Sequence, residues 1–319
     1  MPWDERLHRR LKLRDLYVLK TAAQRGSLGK AAAQLAISQP AVSKSITDLE
    51  QVVGARLLDR SRQGVEPTPY GVALLKWSSE AFDDLKRGVE EIDFLADPTA
   101  GHVRLGTAEG MVGGLIAAVI DRLLRQYPRL TFSIIQAPTN DLQYRDLRER
   151  NVDLIFGRLI TQMADDDLDV EILFEDPCIP MAGIGSKWTK RRAIELAELV
   201  DEPWCFPNDS WMSSAIAKAF RERGLQLPRN IISTNAIQLQ YSLAATGQVL
   251  AMATAARLKL FGKTMGVKAV PVDFIVSTYP TGIVTLKKRS ISPVTQLFID
   301  CARRVVRSSA VSAMHRRTV

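Results

Sequence analysis

The sequence predicts an α/β chain, and three observations support this fold class. Residues 14–49 carry apolar side chains at spacings of three and four, which is typical of helices. Residues 69–95 continue that spacing with no proline after the first position, which predicts one long helix. Beyond Gly101, short apolar segments alternate with helical ones, which is typical of a largely parallel sheet. The 319 residues are more than one compact domain usually needs, so we expect at least two domains.

The composition is that of an ordinary globular protein, with 46% apolar and 24% charged residues. No apolar run approaches the length of a membrane span, and the first residues, "MPWDERLHRRLKLRD", are charged where a signal peptide needs an apolar stretch. The three cysteines, Cys178, Cys205 and Cys301, form neither a disulfide framework nor a CxxC metal motif. We therefore expect a cytoplasmic protein with reduced thiols and no membrane partner.

The net charge of +8 is unevenly distributed along the chain. Residues 1–78 hold 13 basic and 7 acidic residues, whereas residues 79–97 hold 2 basic and 7 acidic ones. Residues 286–319 hold 8 basic residues and one acidic residue. Basic ends suggest a polyanionic partner, although a solvated basic face would give the same pattern.

The first helical block contains signals for two tight connections. Gly26 is expected to end the first helix, and Ser27 to cap a second helix that runs to Leu35. In "ISQPAVSK", Ser38 is expected to cap a third helix. Pro40 fits the first turn of that helix, because the N–H that proline lacks would be unpaired there anyway.

The third helix has two contrasting faces. Val42, Ile46 and Leu49 recur at helical spacing and are expected to point inward. The opposite face carries small and polar residues, namely Gln39, Ala41, Ser43, Lys44, Thr47 and Asp48. Such a face suits the recognition helix of a helix-turn-helix, which must enter a DNA major groove about 12 Å wide. A plain helical hairpin with a solvated outer face is the alternative.

The next stretch, "GARLLDRSRQGVEPTPYG", predicts a two-stranded wing with its turn at Gly64. Arg60 and Arg62 are expected to face phosphates or the minor groove beside the third helix. Thr68 is expected to cap the long helix that begins at Pro69.

That long helix would span about 40 Å at 1.5 Å per residue. Its predicted apolar stripe consists of Val72, Leu75, Ser79, Phe82, Leu85, Val89, Ile92 and Leu95. The stripe could pack against the protein's own domains or against an antiparallel partner helix from a second subunit.

Taken together, these residues resemble the N-terminal pattern of the LysR-type transcriptional regulators. The resemblance covers "VLKTAAQRGSLGKAAAQLAISQPAVSKSITDLEQVVGARLLDRSRQGVEPTPYG", with mild departures at Leu58, Pro67 and Tyr70. It implies that the DNA-binding residues are Ser38, Gln39, Pro40, Ser43, Lys44, Arg60 and Thr68, with Arg62 added from the wing prediction. Lys44 stands where many relatives carry arginine, so we expect it to bind a phosphate rather than the edge of a guanine.

The resemblance also implies a domain division. Residues 1–68 would form a winged helix-turn-helix, residues 69–96 a dimerisation helix, and residues 97–319 an effector-binding domain. That domain would be periplasmic-binding-protein-like, with lobe I at about 101–174 and 277–305 and lobe II at about 175–276. The expected partners are promoter DNA, a small-molecule effector, further copies of the chain in a homodimer or homotetramer, and RNA polymerase if the protein is an activator. No cofactor is expected.

Candidate effector residues lie in loops that follow predicted strands, where ligands of α/β sheets commonly bind. Under the same resemblance they are Thr107, Gly110, Arg158, Asn208 and Asn235. The guanidinium fork of Arg158 suits two oxygens of a carboxylate or an acidic sugar derivative. The alternatives are a simple helix cap for Thr107 and a surface ion pair with the 165–167 acidic run for Arg158. The segments "LDVEILFEDP" and "LVDEPWCFPNDSW" resemble a subgroup that includes regulators of sugar-uptake and aromatic-acid genes.

The sequence disfavours three other functions. An enzyme is disfavoured because the histidines, His8, His102 and His315, are scattered and no HExxH, Walker-type loop or GxSxG motif occurs. A periplasmic solute binder would not need the N-terminal block. A purely architectural DNA binder would not need the large α/β portion.

Overall fold

The structure is a computed structural model that describes residues 11–61, 64–108, 112–137, 142–159, 166–208 and 210–308. The chain divides into two compact units, Met1–Val89 and Glu90–Val319.

The first unit contains the predicted helices and the predicted hairpin. Its elements are α1 (Leu13–Arg25), α2 (Leu28–Leu35), α3 (Gln39–Val53), β1 (Leu58–Ser61), β2 (Gly64–Pro67) and the start of α4 (Pro69–Ala96). Gly26 ends α1 with φ of 62°, a left-handed conformation that glycine adopts without strain. The inward face of α3 is confirmed, since Val42, Ile46 and Leu49 are at most 1% exposed. They pack with Leu19 of α1 in one hydrophobic core.

The predicted long helix is confirmed as α4, which is 28 residues long. Its predicted stripe divides into two parts. Leu75 and Phe82 pack against the N-terminal core, whereas the later members, together with Val72, are exposed. The exposed large apolar residues of α4 are Tyr70, Val72, Trp77, Leu85, Val89, Ile92 and Leu95, which are 52–75% exposed. Sequence periodicity alone missed Tyr70 and Trp77.

The second unit is built on one sheet of nine strands within the described residues. The strands are β3 (Ala100–Thr107), β4 (Arg129–Gln136), β5 (Leu154–Arg158), β6 (Leu168–Gly183), β7 (Trp204–Phe206), β8 (Ile231–Ser233), β9 (Leu250–Thr254), β10 (Val267–Ala269) and β11 (Ser277–Leu286). Their order is β4-β3-β5-β11-β6-β9-β7-β8, and β10 pairs with β6.

The sheet is parallel only in its outer parts. Strand β3 pairs in parallel with β4 and β5, and β7 pairs in parallel with β8 and β9. The two central strands, β6 and β11, run antiparallel to each other and to their outer neighbours. The expectation of a largely parallel sheet is therefore wrong for the strands that join the two halves.

Strand β6 is longer than predicted. Taken alone, the apolar segments 170–176 and 178–184 predict two strands on either side of Pro177, but one strand, Leu168–Gly183, continues through it. Opposite it, the register of β11 shifts between Thr281 and Gly282 in a β-bulge. An added Cβ at Gly282 would lie 1.9 Å from the Glu171 carbonyl oxygen, so the glycine permits this close approach.

The helices of the second unit follow the strands. They are α5 (Ala117–Gln126), α6 (Ser210–Glu222), α7 (Ile237–Ala245), α8 (Ala255–Phe261) and α9 (Pro293–Ser308). Helical spacing predicts regular helices at about 110–126 and 142–149, but Val112–Ile116 and Leu142–Leu147 are short π-helical turns.

Each half of the sheet has its own hydrophobic core. One core contains Phe156 and Phe298 together with residues of β3 and α5. The other contains Trp204, Phe220 and Phe274. Strand β6 contributes to both, so the two halves are joined through shared strands rather than by a loop. Within the described residues, no helix is long and apolar enough to cross a membrane.

Candidate nucleic-acid interface and effector site

The outer face of α3 is open to solvent. Ser38 caps the helix, its Oγ accepting a hydrogen bond from the Ala41 N–H at 3.3 Å, and Pro40 lies in the first turn. Ser38, Gln39, Pro40, Lys44, Thr47 and Asp48 are exposed, and Ser43 is half-buried. Because the core residues of α3 lie on the opposite side, this face is free of the first unit's own interior.

The wing and α3 share a surface. The Arg60 Nη1 atom donates a hydrogen bond to the Ser43 Oγ at 3.1 Å. Arg60 lies opposite Val65 in the β1–β2 hairpin, and its side chain is exposed. A cation of the wing therefore lies beside the polar face of α3. Arg62, the other predicted wing contact, is outside the described residues.

Glu50 holds the wing at the far end of α3. Its Oε1 accepts hydrogen bonds from the Leu57 N–H at 2.8 Å and the Leu58 N–H at 3.3 Å. The Val65 N–H also donates to the Gly26 carbonyl oxygen at 3.0 Å, which ties β2 to the turn after α1. Glu50 was not predicted from the sequence, because no periodicity or motif spacing indicates which backbone groups a glutamate will bind.

Thr68 is structural. It is 7% exposed, and its hydroxyl donates to the Arg56 carbonyl oxygen at 2.7 Å and accepts from the Gly71 N–H at 3.1 Å. The cap prediction is confirmed. The hydroxyl is buried and already used twice within the protein, and direct contact of Thr68 with DNA stays a prediction.

In the second unit, the candidate effector residues follow the carboxyl ends of parallel strands. Thr107 and Arg158 end the neighbouring strands β3 and β5. Asn208 and Asn235 follow the neighbouring strands β7 and β8, and both are exposed. Gly110 is outside the described residues. The predicted residues therefore include two pairs at the ends of neighbouring strands. Thr107 and Arg158 lie in one half of the sheet, and Asn208 and Asn235 in the other.

Thr107 is fully buried, and its hydroxyl donates to the Phe156 carbonyl oxygen at 2.8 Å. Arg158 is half-buried and lies opposite Thr281 in the β5–β11 ladder. Within the 165–167 acidic run suggested as an ion-pair partner, Asp167 is bound by Arg148, with N–O distances of 2.8 Å. The positive charge of Arg158 favours the ionised form of Asp176 of β6 and so lowers the pKa of that carboxyl group.

Asp176 was not among the predicted site residues. It is 1% exposed, and its Oδ1 accepts a hydrogen bond from the Ala256 N–H at 3.0 Å. Burial raises the pKa of Asp176. This effect outweighs the lowering by the hydrogen bond from the Ala256 N–H, by the hydrogen bond with the Thr254 side chain and by the charge of Arg158. Its Oδ2 is buried and has no hydrogen-bond partner among the described residues.

Tyr241 of α7 was also missed. It is 1% exposed, and the Arg257 guanidinium lies 4.6 Å from the centre of its ring. Burial raises the pKa of Tyr241 to about 12. Its hydroxyl is buried and, within the described part of the chain, lacks a hydrogen-bond partner. A tyrosine at helical spacing is normally interpreted as core, so the sequence held no signal for a polar role.

An exposed recognition-type helix beside a cationic wing, followed by an α/β unit with polar residues at its strand ends, defines a DNA-binding regulator with a small-molecule-binding domain. Comparison with known proteins gives the family. Residues 13–72 match the bacterial regulatory helix-turn-helix protein model of the lysR family, and residues 96–307 match the LysR substrate binding domain. The chain belongs to the LysR family of transcriptional regulators and not to a family of enzymes.

Individual relatives agree with this assignment. The chain is 30% identical to the HTH-type transcriptional regulator GbpR of Azospirillum brasilense, over 90% of this chain and 84% of that protein. It is 25% identical to the HTH-type transcriptional regulator TdcA of Escherichia coli K12, over 92% of each chain.

Solved structures support the fold. A full-length OxyR variant from Pseudomonas aeruginosa matches with a TM-score of 0.62 and 19% identity, over 95% of this chain and 97% of that one. Full-length CbnR in complex with its target DNA matches with a TM-score of 0.59 and 17% identity, over 92% of this chain and 100% of that one.

Proposed function

We propose that this regulator binds promoter DNA as a homo-oligomer and changes transcription in response to a small anionic effector. The observation that supports this most directly is the exposed polar face of α3 beside Arg60. Promoter binding places its action in the cytoplasm, with the chromosome. If it is an activator, RNA polymerase is a further partner.

In the proposed DNA complex, the N-terminal half of α3 enters the major groove and the wing lies against the flanking backbone. Ser38, Gln39, Pro40, Ser43, Lys44, Arg60 and Arg62 are the proposed contact residues. Lys44 is a flexible point charge, so we assign it to a phosphate. Arg60 would exchange or share its hydrogen bond with Ser43 when a phosphate approaches. Thr68 supports the wing from within the protein.

The proposed effector site lies at the strand ends of the second unit, between lobes of about 101–174 with 277–305 and about 175–276. Thr107, Gly110, Arg158, Asn208 and Asn235 are its proposed residues, and Arg158 would bind an anionic group. An effector that favours one packing of the lobes would change the spacing of paired reading heads, and with it the bend of the promoter. It must bind one arrangement more tightly than the other, because equal affinity shifts no equilibrium.

The first experiment tests DNA binding by the full chain. Footprinting on the DNA next to the protein's own gene should give a protected site for the wild type. Ser43→Asp should abolish that protection, because it places a negative charge on the groove-facing side of α3. Undiminished, site-specific protection by a folded Ser43→Asp protein would contradict the proposal.

Lys44→Ala should weaken binding to all DNA sequences by a similar factor. It should also reduce the slope of log affinity against log salt by about 1 per DNA-contacting subunit, as expected for one lost phosphate contact. Lys218→Ala is a matched control, because Lys218 is an exposed lysine of α6, paired with Glu222 in the second unit. A Lys44→Ala protein with the wild-type salt slope would remove Lys44 from the interface.

The effector response needs its own measurement. Saturating effector should alter the footprint or the DNA bend, as followed by circular-permutation gel shift. If neither changes, the coupling mechanism fails, although the family assignment remains.

A further inference from the structure

Asp176 lies where the two halves of the second unit meet. It pairs with Tyr279 of β11 on one side of β6, and two residues later Cys178 pairs with Thr254 at the carboxyl end of β9. The carboxyl end of β5, at Arg158, is on the other side of β11. Carboxyl ends of strands from both halves therefore converge on Asp176, and ligands of α/β sheets bind at such points.

Two buried polar atoms at this point lack partners among the described residues. They are the Oδ2 of Asp176 and the hydroxyl oxygen of Tyr241. Both side chains are about 99% buried, since each residue is only 1% exposed. Buried polar groups in folded proteins are nearly always hydrogen-bonded, so these two atoms call for a partner supplied from outside the described chain.

The two groups belong to one neighbourhood. The Ala256 N–H of α8 donates a hydrogen bond to Asp176, and the guanidinium of the next residue, Arg257, lies 4.6 Å from the centre of the Tyr241 ring. The strand pairing places Arg158 across β11 from β6, and its charge lowers the pKa of Asp176. The neighbourhood therefore contains two guanidinium groups and one carboxyl group.

This set of groups restricts the chemistry of a ligand. A carboxylate oxygen accepts hydrogen bonds, whereas a tyrosine hydroxyl both donates and accepts. A ligand hydroxyl can donate to Asp176 and accept from Tyr241 at the same time. A ligand ammonium could donate but would meet two guanidinium charges. An anionic group, by contrast, is favoured near Arg158.

We propose that Asp176 and Tyr241 form a hydroxyl-binding subsite next to Arg158, and that the effector is a small hydroxy carboxylate. This inference rests on the proposed effector site and names its ligand class. The hydroxyl bridges Asp176 Oδ2 and the Tyr241 hydroxyl, and the carboxylate of the effector lies toward Arg158. A buried water bound by the same two atoms is the competing explanation.

Matched pairs of acids that differ only in hydroxyl groups provide the test. Malate against succinate, lactate against propionate, and gluconate against hexanoate are titrated calorimetrically into the full-length protein. We expect at least one hydroxy acid to bind at least tenfold more tightly than its deoxy partner. The reason is that a site built to bind a hydroxyl leaves polar groups unpaired when the hydroxyl is missing. If no hydroxy acid binds, or if the deoxy partners bind equally well, the proposal is overturned.

Variants distinguish the ligand from a buried water. For the preferred acid, Tyr241→Phe and Asp176→Asn should each reduce the ratio of the two affinities at least fivefold. Asp121→Asn, an exposed change on α5 that breaks a pair with Arg125, should leave the ratio unchanged. If Tyr241→Phe and Asp176→Asn alter stability but leave the affinity ratio intact, the atoms hold water and the inference is wrong. Should Asp176→Asn fail to fold, Tyr241→Phe decides.

The hydroxyl subsite and the proposed function are tested by different results. If promoter protection persists and an acid without hydroxyls alters it, the proposed function stands and the hydroxyl subsite is wrong. If the wild-type chain gives no promoter protection, the proposed function itself fails, whatever acids bind.

Discussion

At the residue scale, side-chain hydroxyls close the N-termini of three helices in the DNA-binding unit. Ser27, Ser38 and Thr68 accept hydrogen bonds from backbone N–H groups three residues ahead, at 3.4, 3.3 and 3.1 Å. Ser38 is exposed on the face proposed for DNA, whereas Thr68 is buried. The cap at Ser38 is therefore accessible to DNA, whereas the buried cap at Thr68 serves to stabilise the protein.

This difference gives a prediction for Thr68→Val, which removes the hydroxyl but keeps the shape. We expect a loss of about 1–2 kcal/mol in the free energy of unfolding, because the α4 cap and the bond to the Arg56 carbonyl oxygen are both lost. Urea unfolding followed by circular dichroism measures it. DNA affinity should change little under conditions where the variant is folded. Unchanged stability with a clear loss of DNA affinity would support Thr68 as a direct contact.

Local signals predict local residues well. The caps at Ser27, Ser38 and Thr68 and the inward face of α3 follow from sequence, because capping and helical periodicity act over three or four positions. Asp176 and Glu50 do not follow from it. The hydrogen-bond partner of Asp176 is 80 positions away in the chain, and the two partners of Glu50 lie in the wing entry. Such contacts depend on the tertiary fold, which a single sequence does not display.

At the element scale, the wing and the start of α4 are packed together backbone against backbone. An added Cβ at Gly71 would lie 2.0 Å from the Leu57 carbonyl oxygen. The Leu57 N–H is fixed by Glu50 in addition, so this strand entry has little room to move. The glycine is therefore required for contact between two backbones rather than for flexibility.

Gly71→Ala should destabilise the protein by about 1–3 kcal/mol or more, the range for overpacking a closely packed site, and should weaken DNA binding because the wing is displaced. Gly88→Ala is a control in the same helix, since an added Cβ there meets nothing within 4 Å. It should be neutral or stabilising, because alanine favours helix over glycine. Urea unfolding midpoints compare the two. Equal urea unfolding midpoints for the two variants would show that the wing can move to accept the added methyl group without loss of stability.

Helices and strands with a regular sequence pattern were predicted. Features that depend on neighbouring strands, such as the length of a strand and its direction in the sheet, were not. The long helix and the hairpin follow from periodicity and turn residues. The continuation of β6 through Pro177 does not, because proline argues against a central strand unless its missing N–H faces away from the ladder. The antiparallel direction of β6 and β11 follows from chain topology, which alternation of strands and helices leaves open.

At the scale of the whole molecule, the exposed side of α4 is the most informative surface. Tyr70, Trp77, Leu85, Ile92 and Leu95 recur at helical spacing and are each at least 52% exposed. Such a long apolar stripe is unfavourable in water for a lone chain, so we propose that a second copy covers it.

Ile92→Lys should therefore weaken self-association by about 30-fold or more, the equivalent of losing 2 kcal/mol at an interface. Sedimentation velocity over a range of protein concentrations measures the dissociation constant. Asp93→Lys is the matched control, since it introduces the same side chain at the next position, which is exposed and off the stripe. If both variants associate like the wild type, the stripe is not the subunit interface.

Strands β6 and β11 impose a condition on how the two halves of the effector domain can rearrange. Sliding one half past the other would break the ladder that runs along Ser277–Leu286, whereas torsion of this two-stranded ribbon would preserve it. The register shift leaves Leu173 of β6 as the extra residue opposite Thr281 and Gly282 of β11, and such a bulge locally increases the twist of the strands. Occupancy of the proposed effector site would then be transmitted as rotation about the ribbon axis, so a change of angle within each effector domain would produce the change in spacing of the reading heads.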